Sequence, residues 1–151
     1  MNETPESNPR LDFFRTQVGQ SLQNSISPFG RWLRGTLRAV DYGSISVEFR
    51  VREGMTNPAA VLHGGAVAGM MDEVIGMMVF GLGREYAFTS VNLNCDFLHA
   101  ARQDDTLTVH ARVVRAGRNI VHCECQVETP EGTIIAKSTS NLIQTSVKLP
   151  H

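Results

Sequence analysis

The sequence predicts an α+β domain in which an antiparallel sheet wraps around one long central helix, with a short helix ahead of it. Three observations lead there. The segment Gly64 to Gly83, about 20 residues, is almost wholly apolar, which is the composition of a helix enclosed by other structure. On both sides of it the hydrophobic period is two, the mark of half-buried strands. The chain has 151 residues, 42% of them apolar and 19% charged, enough for one domain with one core. Long hairpins flanking a single apolar helix bury it best by closing the sheet over it.

Met1 to about Pro9 is polar and contains proline, giving a loose tail. Leu11, Phe14, Val18 and Leu22 recur at helical spacing and predict a short amphipathic helix, ended by Ser27-Pro28-Phe29-Gly30. Leu33 to Val40 reads as a strand, and Tyr42-Gly43-Ser44 as a turn. Ile45, Val47, Phe49 and Val51 then alternate with Ser46, Glu48, Arg50 and Arg52, a half-buried strand. Glu53 to Leu62 contains Gly54, Asn57 and Pro58 and is a loop; His63-Gly64-Gly65 opens the long helix, which runs to about Leu82. Val91, Leu93, Cys95 and Phe97 alternate with Ser90, Asn92, Asn94 and Asp96. Leu107, Val109, Ala111 and Val113 form one face of the next strand, which turns at Ala116-Gly117-Arg118. Ile120 to Glu128 pairs back, and Thr129-Pro130-Glu131-Gly132 turns into Thr133 to Ile143. The expected organisation is a flexible tail over 1–10, an N-terminal helix and connector over 11–30, a single domain over 31–146 and a tail over 147–151.

Several classes drop out. Asp72 and Glu73 sit near the middle of the apolar segment, where each would cost roughly 2.5–3.5 kcal/mol in a bilayer, so a membrane span is not expected. Lys+Arg is 14 against Asp+Glu 15, a net charge of -1, without the basic excess of a nucleic-acid binder. Three cysteines, Cys95, Cys123 and Cys125, and the lack of a leader pattern at the N-terminus predict a reduced, cytoplasmic protein. The five histidines lack ligand spacing, so no metal site is expected.

Two features carry chemistry. The helix is read as apolar nearly all round, through Met70, Met71, Val74, Ile75, Met78, Val79 and Leu82. A carboxylate there must reach a cleft, an interface or a cation; the plainer alternative is a solvated Glu73 and a structurally paired Asp72. His63-Gly64-Gly65 places bare backbone N–H groups at a helix start, where the dipole favours negative charge. That is the chemistry of an oxyanion hole, although Gly-Gly before a helix is also a plain turn and His63 alone a hydrogen-bonded loop residue.

Asn57, His63-Gly64-Gly65, Asp72 and Ser90 together resemble the motif of the hotdog-fold acyl-CoA thioesterases, most nearly the phenylacetate-pathway type that includes mammalian thioesterase-superfamily proteins. The resemblance covers roughly Trp32 to Thr145. It implies that Gly64 donates its N–H to the thioester oxygen and that Asp72 activates water or attacks directly. Ser90 would orient the water, with Asn57 and His63 positioning the thioester; Gly65 and Glu73 are further candidate substrate contacts, with Glu73 also a candidate to share the base role. The chain departs from the family's pattern at Glu73-Val74-Ile75, at Phe97 and at Asp104-Asp105. Coenzyme A brings phosphates, for which Arg112, Arg115 and Arg118, with Asn119 beside them, are the candidate cations; a solvated hairpin tip is the alternative. No cofactor beyond the substrate's coenzyme A is implied. A hydratase or dehydratase on the same fold, or a non-catalytic acyl-CoA-binding module, are the rival functions. Gly64 and Asp72 lie eight residues apart on one helix, about 12 Å along its axis. The expectation is therefore a homodimer, associating further to a tetramer, with Asn57, His63 and Gly64 from one protomer facing Asp72 and Ser90 of the other.

Overall fold

The computed structural model describes residues 7–150; 1–6 of the expected tail, and His151, lie outside the described residues. Three helices, α1 (Pro9–Thr16), α2 (Pro28–Leu33) and α3 (Gly64–Phe80), accompany six strands. These are β1 (Thr36–Asp41), β2 (Ser44–Arg50), β3 (Tyr86–Phe97), β4 (Thr106–Ala116), β5 (Ile120–Glu128) and β6 (Ile134–Lys148). All pair antiparallel in one sheet of order β1-β2-β4-β5-β6-β3. One face of the sheet curves around α3, which makes this a hotdog fold. Among the described residues no helix is long and apolar enough to cross a membrane.

The core is the contact between α3 and the inner face of the sheet. Met70, Met71, Val74 and Ile75 are completely buried, packed with Val47, Phe49, Leu107, Val109, Val121, Cys123 and Val127 in one cluster. Burial alternates along β2, β4 and β5 as the period of two requires. The helix itself is not enclosed all round: Gly65, Asp72 and Gly76 are exposed along one stripe. Glycines hide such a face from a hydropathy reading because they carry no side chain to mark it polar.

The N-terminal part departs most from the sequence expectation. Helix α1 starts at Pro9, inside the expected tail, because Asn8 caps it by accepting from Leu11 N–H at 3.0 Å. It stops at Thr16, without Val18 and Leu22. Gly19, at φ +86°, turns the chain alongside β1, where Gly19 N–H donates to Leu37 O and Leu22 N–H to Gly35 O. Ser27-Pro28 begins a helix where an end was expected: Ser27 Oγ accepts from Gly30 N–H at 3.1 Å. Leu33 closes that helix, so β1 begins at Thr36. At the far end, Val147 and Lys148 still belong to β6.

The two edges of the sheet differ. The segment 19–22 covers β1, whereas among the described residues β3 pairs only with β6 and leaves its other side open. Between the edges the core admits no extra volume near Gly35, where a Cβ would stand 2.6 Å from the Phe49 ring and 2.7 Å from Val47. Both neighbours are buried and cannot move aside. Gly35→Ala should therefore destabilise the protein by about 1–3 kcal/mol in urea unfolding. Gly54→Ala, where nothing lies within 4 Å, should stay within about 0.5 kcal/mol.

Candidate active site

The loop ahead of α3 is folded back on itself. Asn57 N–H donates to Val61 O at 2.9 Å, and His63 N–H to Met55 O at 2.8 Å. The Asn57 side-chain oxygen accepts from Ala59 N–H at 3.0 Å and Val61 N–H at 3.3 Å. Its carbonyl is committed to the turn, and its amide N–H groups are what remain for a ligand. His63 caps α3, its Nδ1 accepting from Gly65 N–H at 2.8 Å. The Gly65 N–H is thus already satisfied by the ring, while the residue itself stays exposed. Gly64 N–H makes no hydrogen bond among the described residues. It is a free donor at the positive end of a helix of 17 residues. A cleft of about 420 Å³ lies beside it, lined by Leu62, Val67, Phe97, Leu98 and Ile135.

Asp72 lies two turns further along α3, with its carboxylate exposed. Ser90 Oγ donates to Asp72 Oδ1 at 3.2 Å. A register shift between Ser90 and Asn92 makes that contact. Ser90 is opposite buried Leu142, whereas Asn92 is opposite Asn141 on the outer face. The extra residue, Val91, is a bulge that turns Ser90 toward the helix. Simple alternation would have kept Ser90 on the Asn92 face. The structure thus gathers the five residues into two groups, Asn57–His63–Gly64 and Asp72–Ser90, separated along one helix.

The negative charge of Asp72 is felt on the inner sheet face. Burial first, and then Asp72, push the Cys123 thiol up to about 11. Burial, then the neighbouring Cys123, push Cys125 up to about 12. All three cysteines are free; with thiols held protonated they offer no nucleophile at neutral pH.

Glu73 points elsewhere. Ser27 Oγ, which already accepts from Gly30 N–H, donates to Glu73 Oε2 at 3.2 Å. A Cβ at Gly30 would run into Glu73 Oε1. Glu73 therefore fastens α2 onto α3 rather than facing the opening beside Asp72. Sequence reading missed this because Ser27 and Gly30 look like a helix stop; the proline after Ser27 was the available signal for a start.

The hairpin arginines are not gathered at this site. Arg112 is paired with Glu124 on the outer face of the sheet, while Arg115, Arg118 and Asn119 are exposed at the tip. Arg84 ties that tip down, donating to Gly117 O at 3.0 Å, a cation the sequence pattern did not single out. Among the described residues no group of three or more His, Cys, Asp or Glu is placed to hold a metal ion.

Comparison with known proteins gives the following. Residues 59–136 match the model of the thioesterase superfamily. Human acyl-coenzyme A thioesterase 13 is 28% identical over 112 residues, 70% of this chain and 80% of that protein. A phenylacetic acid degradation-related protein of Ralstonia eutropha JMP134 superposes with a TM-score of 0.72 at 26% identity, covering 81% and 96% of the two chains. A Streptococcus pneumoniae TIGR4 thioesterase protein solved with coenzyme A superposes with a TM-score of 0.71 at 23% identity, covering 76% and 88%.

Burial raises the Glu73 carboxyl above the usual range; the Ser27 hydrogen bond opposes this and the Asp72 charge adds to it. The fold favours the neutral form, so the stabilising contribution of Glu73 is complete at low pH and is lost as pH rises through the raised pKa. Gln keeps the acceptor for Ser27 but cannot ionise. Calorimetry of Glu73→Gln should give a Tm that gains on the parent as pH rises from about 4 to about 8, the opposite trend excluding this account.

Proposed function

The chain belongs to the thioesterase superfamily, whose chemistry is thioester hydrolysis, and on that premise we propose that it hydrolyses an acyl- or aryl-acyl-coenzyme A to the free acid and coenzyme A. The observation that carries this reading is the pairing of Asp72 with Ser90 at an open stripe of α3, whose first N–H, at Gly64, is unsatisfied. Two similarities support the substrate: a relative named as an acyl-coenzyme A thioesterase and a fold neighbour solved with coenzyme A.

In this reading Asp72 takes a proton from water as its oxygen attacks the thioester carbon, with Ser90 orienting that water. Gly64 N–H stabilises the oxyanion that forms. The Asn57 amide and His63 hold the thioester. The C–S bond then breaks, and the proton carried by Asp72 passes to the departing thiolate. No other cofactor enters these steps.

The two groups of residues act together only across two protomers. Asp72 cannot reach the water beside an oxyanion held about 12 Å along its own helix. The open edge of the sheet supports a second chain there: β3, which carries Ser90, has an unpaired row of backbone groups, and edges of this kind pair with another strand. An isologous dimer would bring the Gly64 end of one helix to Asp72 of the partner, giving two equivalent sites.

Asp72→Asn should lower kcat by roughly a hundredfold or more, with a smaller effect on binding, in a thiol-release assay over a panel of acyl-CoAs. A variant that keeps full kcat would remove Asp72 from the chemistry. Asn57→Ala and Asp72→Ala, each inactive alone, should complement when dissociated, mixed and reassociated. With random pairing half the dimers are mixed and each holds one intact site, returning about a quarter of parent activity. Confirmed mixed dimers without recovery would place the whole site in one chain.

A further inference from the structure

The far end of α2 carries a cluster that the catalytic reading leaves unused. Trp32, the only tryptophan of the chain, is 46% exposed and stacks against Phe29 with centroids 6.0 Å apart and planes 15° from parallel. The Arg52 guanidinium lies 4.8 Å from the centre of the Trp32 ring. It is fixed there by donating to Leu33 O at 3.1 Å and to Trp32 O. Arg34, exposed and in the left-handed region at φ 55°, follows directly, and exposed Arg31 precedes Trp32.

None of these three arginines has a carboxylate partner among the described residues. Arg38, Arg50, Arg112 and Lys148 are each paired with an acidic side chain. Burial, and after it the charge of Arg34, hold the Arg52 guanidinium below its ordinary pKa. Arg52 is held by two backbone carbonyls and the indole, and Arg34, exposed two residues beyond Trp32, has no carboxylate beside it, so the positive charge at this end of α2 favours a bound anion. The part of the indole that the stacked Phe29 ring and Arg52 leave exposed supplies apolar surface for a nucleoside, and guanidinium groups match the geometry of phosphate.

The cluster is also connected to the catalytic carboxylate. Phe29 lies on Gly69, where a Cβ would be 2.7 Å from the ring, and Gly69 is one turn before Asp72. Phe29 in turn stacks on Trp32, so an aromatic surface leads from the turn of α3 just before Asp72 to the Arg52 guanidinium. Arg112 of the hairpin, by contrast, is already neutralised by Glu124.

We infer that Arg34, Arg52 and Trp32 form the docking site for the phosphate-bearing nucleotide end of the thioester substrate. The phosphates lie on the two guanidinium groups and the nucleoside lies against the indole. This rests on the acyl-CoA reading above and assigns that substrate a foothold on α2. The lone tryptophan makes the site observable without turnover.

The experiment titrates coenzyme A and, separately, adenosine 3′,5′-bisphosphate into the full chain, following Trp32 fluorescence and, in parallel, heat. Both ligands should change the fluorescence with the same midpoint as the heat, and pantetheine should not. Arg34→Asn, chosen because Asn tolerates the left-handed backbone, should weaken coenzyme A at least tenfold at low salt. It should also flatten the salt dependence and raise KM more than it lowers kcat. Arg34→Lys, which keeps the charge, should recover most of the affinity. Binding seen by heat without a fluorescence change overturns the proposal, as does loss of affinity in Arg115→Ala and Arg118→Ala with Arg34→Asn unaffected. If coenzyme A binds by neither measure and no acyl-CoA is hydrolysed, the acyl-CoA reading falls and takes this site with it. Hydrolysis with an indifferent Trp32 defeats this site alone.

Discussion

The packing of α3 into the concave face of the sheet is the constraint on which the rest depends. Met70, Met71, Val74 and Ile75 are wholly buried against β2, β4 and β5, and full burial of each such side chain is worth about 1.5–3 kcal/mol. With one face locked in this way the helix cannot roll or bend toward its own N-terminus. The free N–H of Gly64 and the carboxylate of Asp72 are therefore held at a fixed separation, on a rod whose exposed stripe carries Gly65, Asp72 and Gly76. A helix that serves as the core also dictates where reactive groups can appear: at its end, or on the stripe the sheet does not cover.

The same constraint explains the division of labour between adjacent carboxylates. Residues 72 and 73 differ by 100° around the helix, enough to send one to solvent and one under α2. Asp72 meets Ser90, a hydroxyl delivered by a bulge, while Glu73 meets the capping hydroxyl of Ser27. The first pair is open to a reactant and the second is enclosed by Gly30. Helix α2 is thus fastened by polar chemistry at its start and by Arg52 at its end. Between these points Phe29 lies on Gly69 with no side chain between them.

The sheet contributes an asymmetry of its own. One edge, β1, is covered by residues 19–22, and Gly19 makes that possible by breaking the helix early. The other edge, β3, is long and uncovered, and it carries the hydroxyl that meets Asp72. Asp72 and Ser90 lie at this uncovered margin rather than under the closed part of the fold.

The sequence by itself determined the sheet-around-helix architecture. Period two in β2, β4 and β5, and the apolar run of α3, are local consequences of which residues must avoid water. It also determined the loop-to-helix junction at His63-Gly64-Gly65, because glycine and a capping side chain act over a few residues. Tertiary structure decided what depends on contacts between distant segments. Val91 becomes a bulge only in its pairing with β6, so the inward turn of Ser90 could not be read from alternation. Glu73 is assigned by Ser27, 46 positions away, and Arg112 by a partner on the neighbouring strand. The open stripe of α3 was masked because glycine has no polarity to show. Arg52 is 20 positions from Trp32 in a chain of balanced charge, and only the fold sets its guanidinium over the indole without a carboxylate.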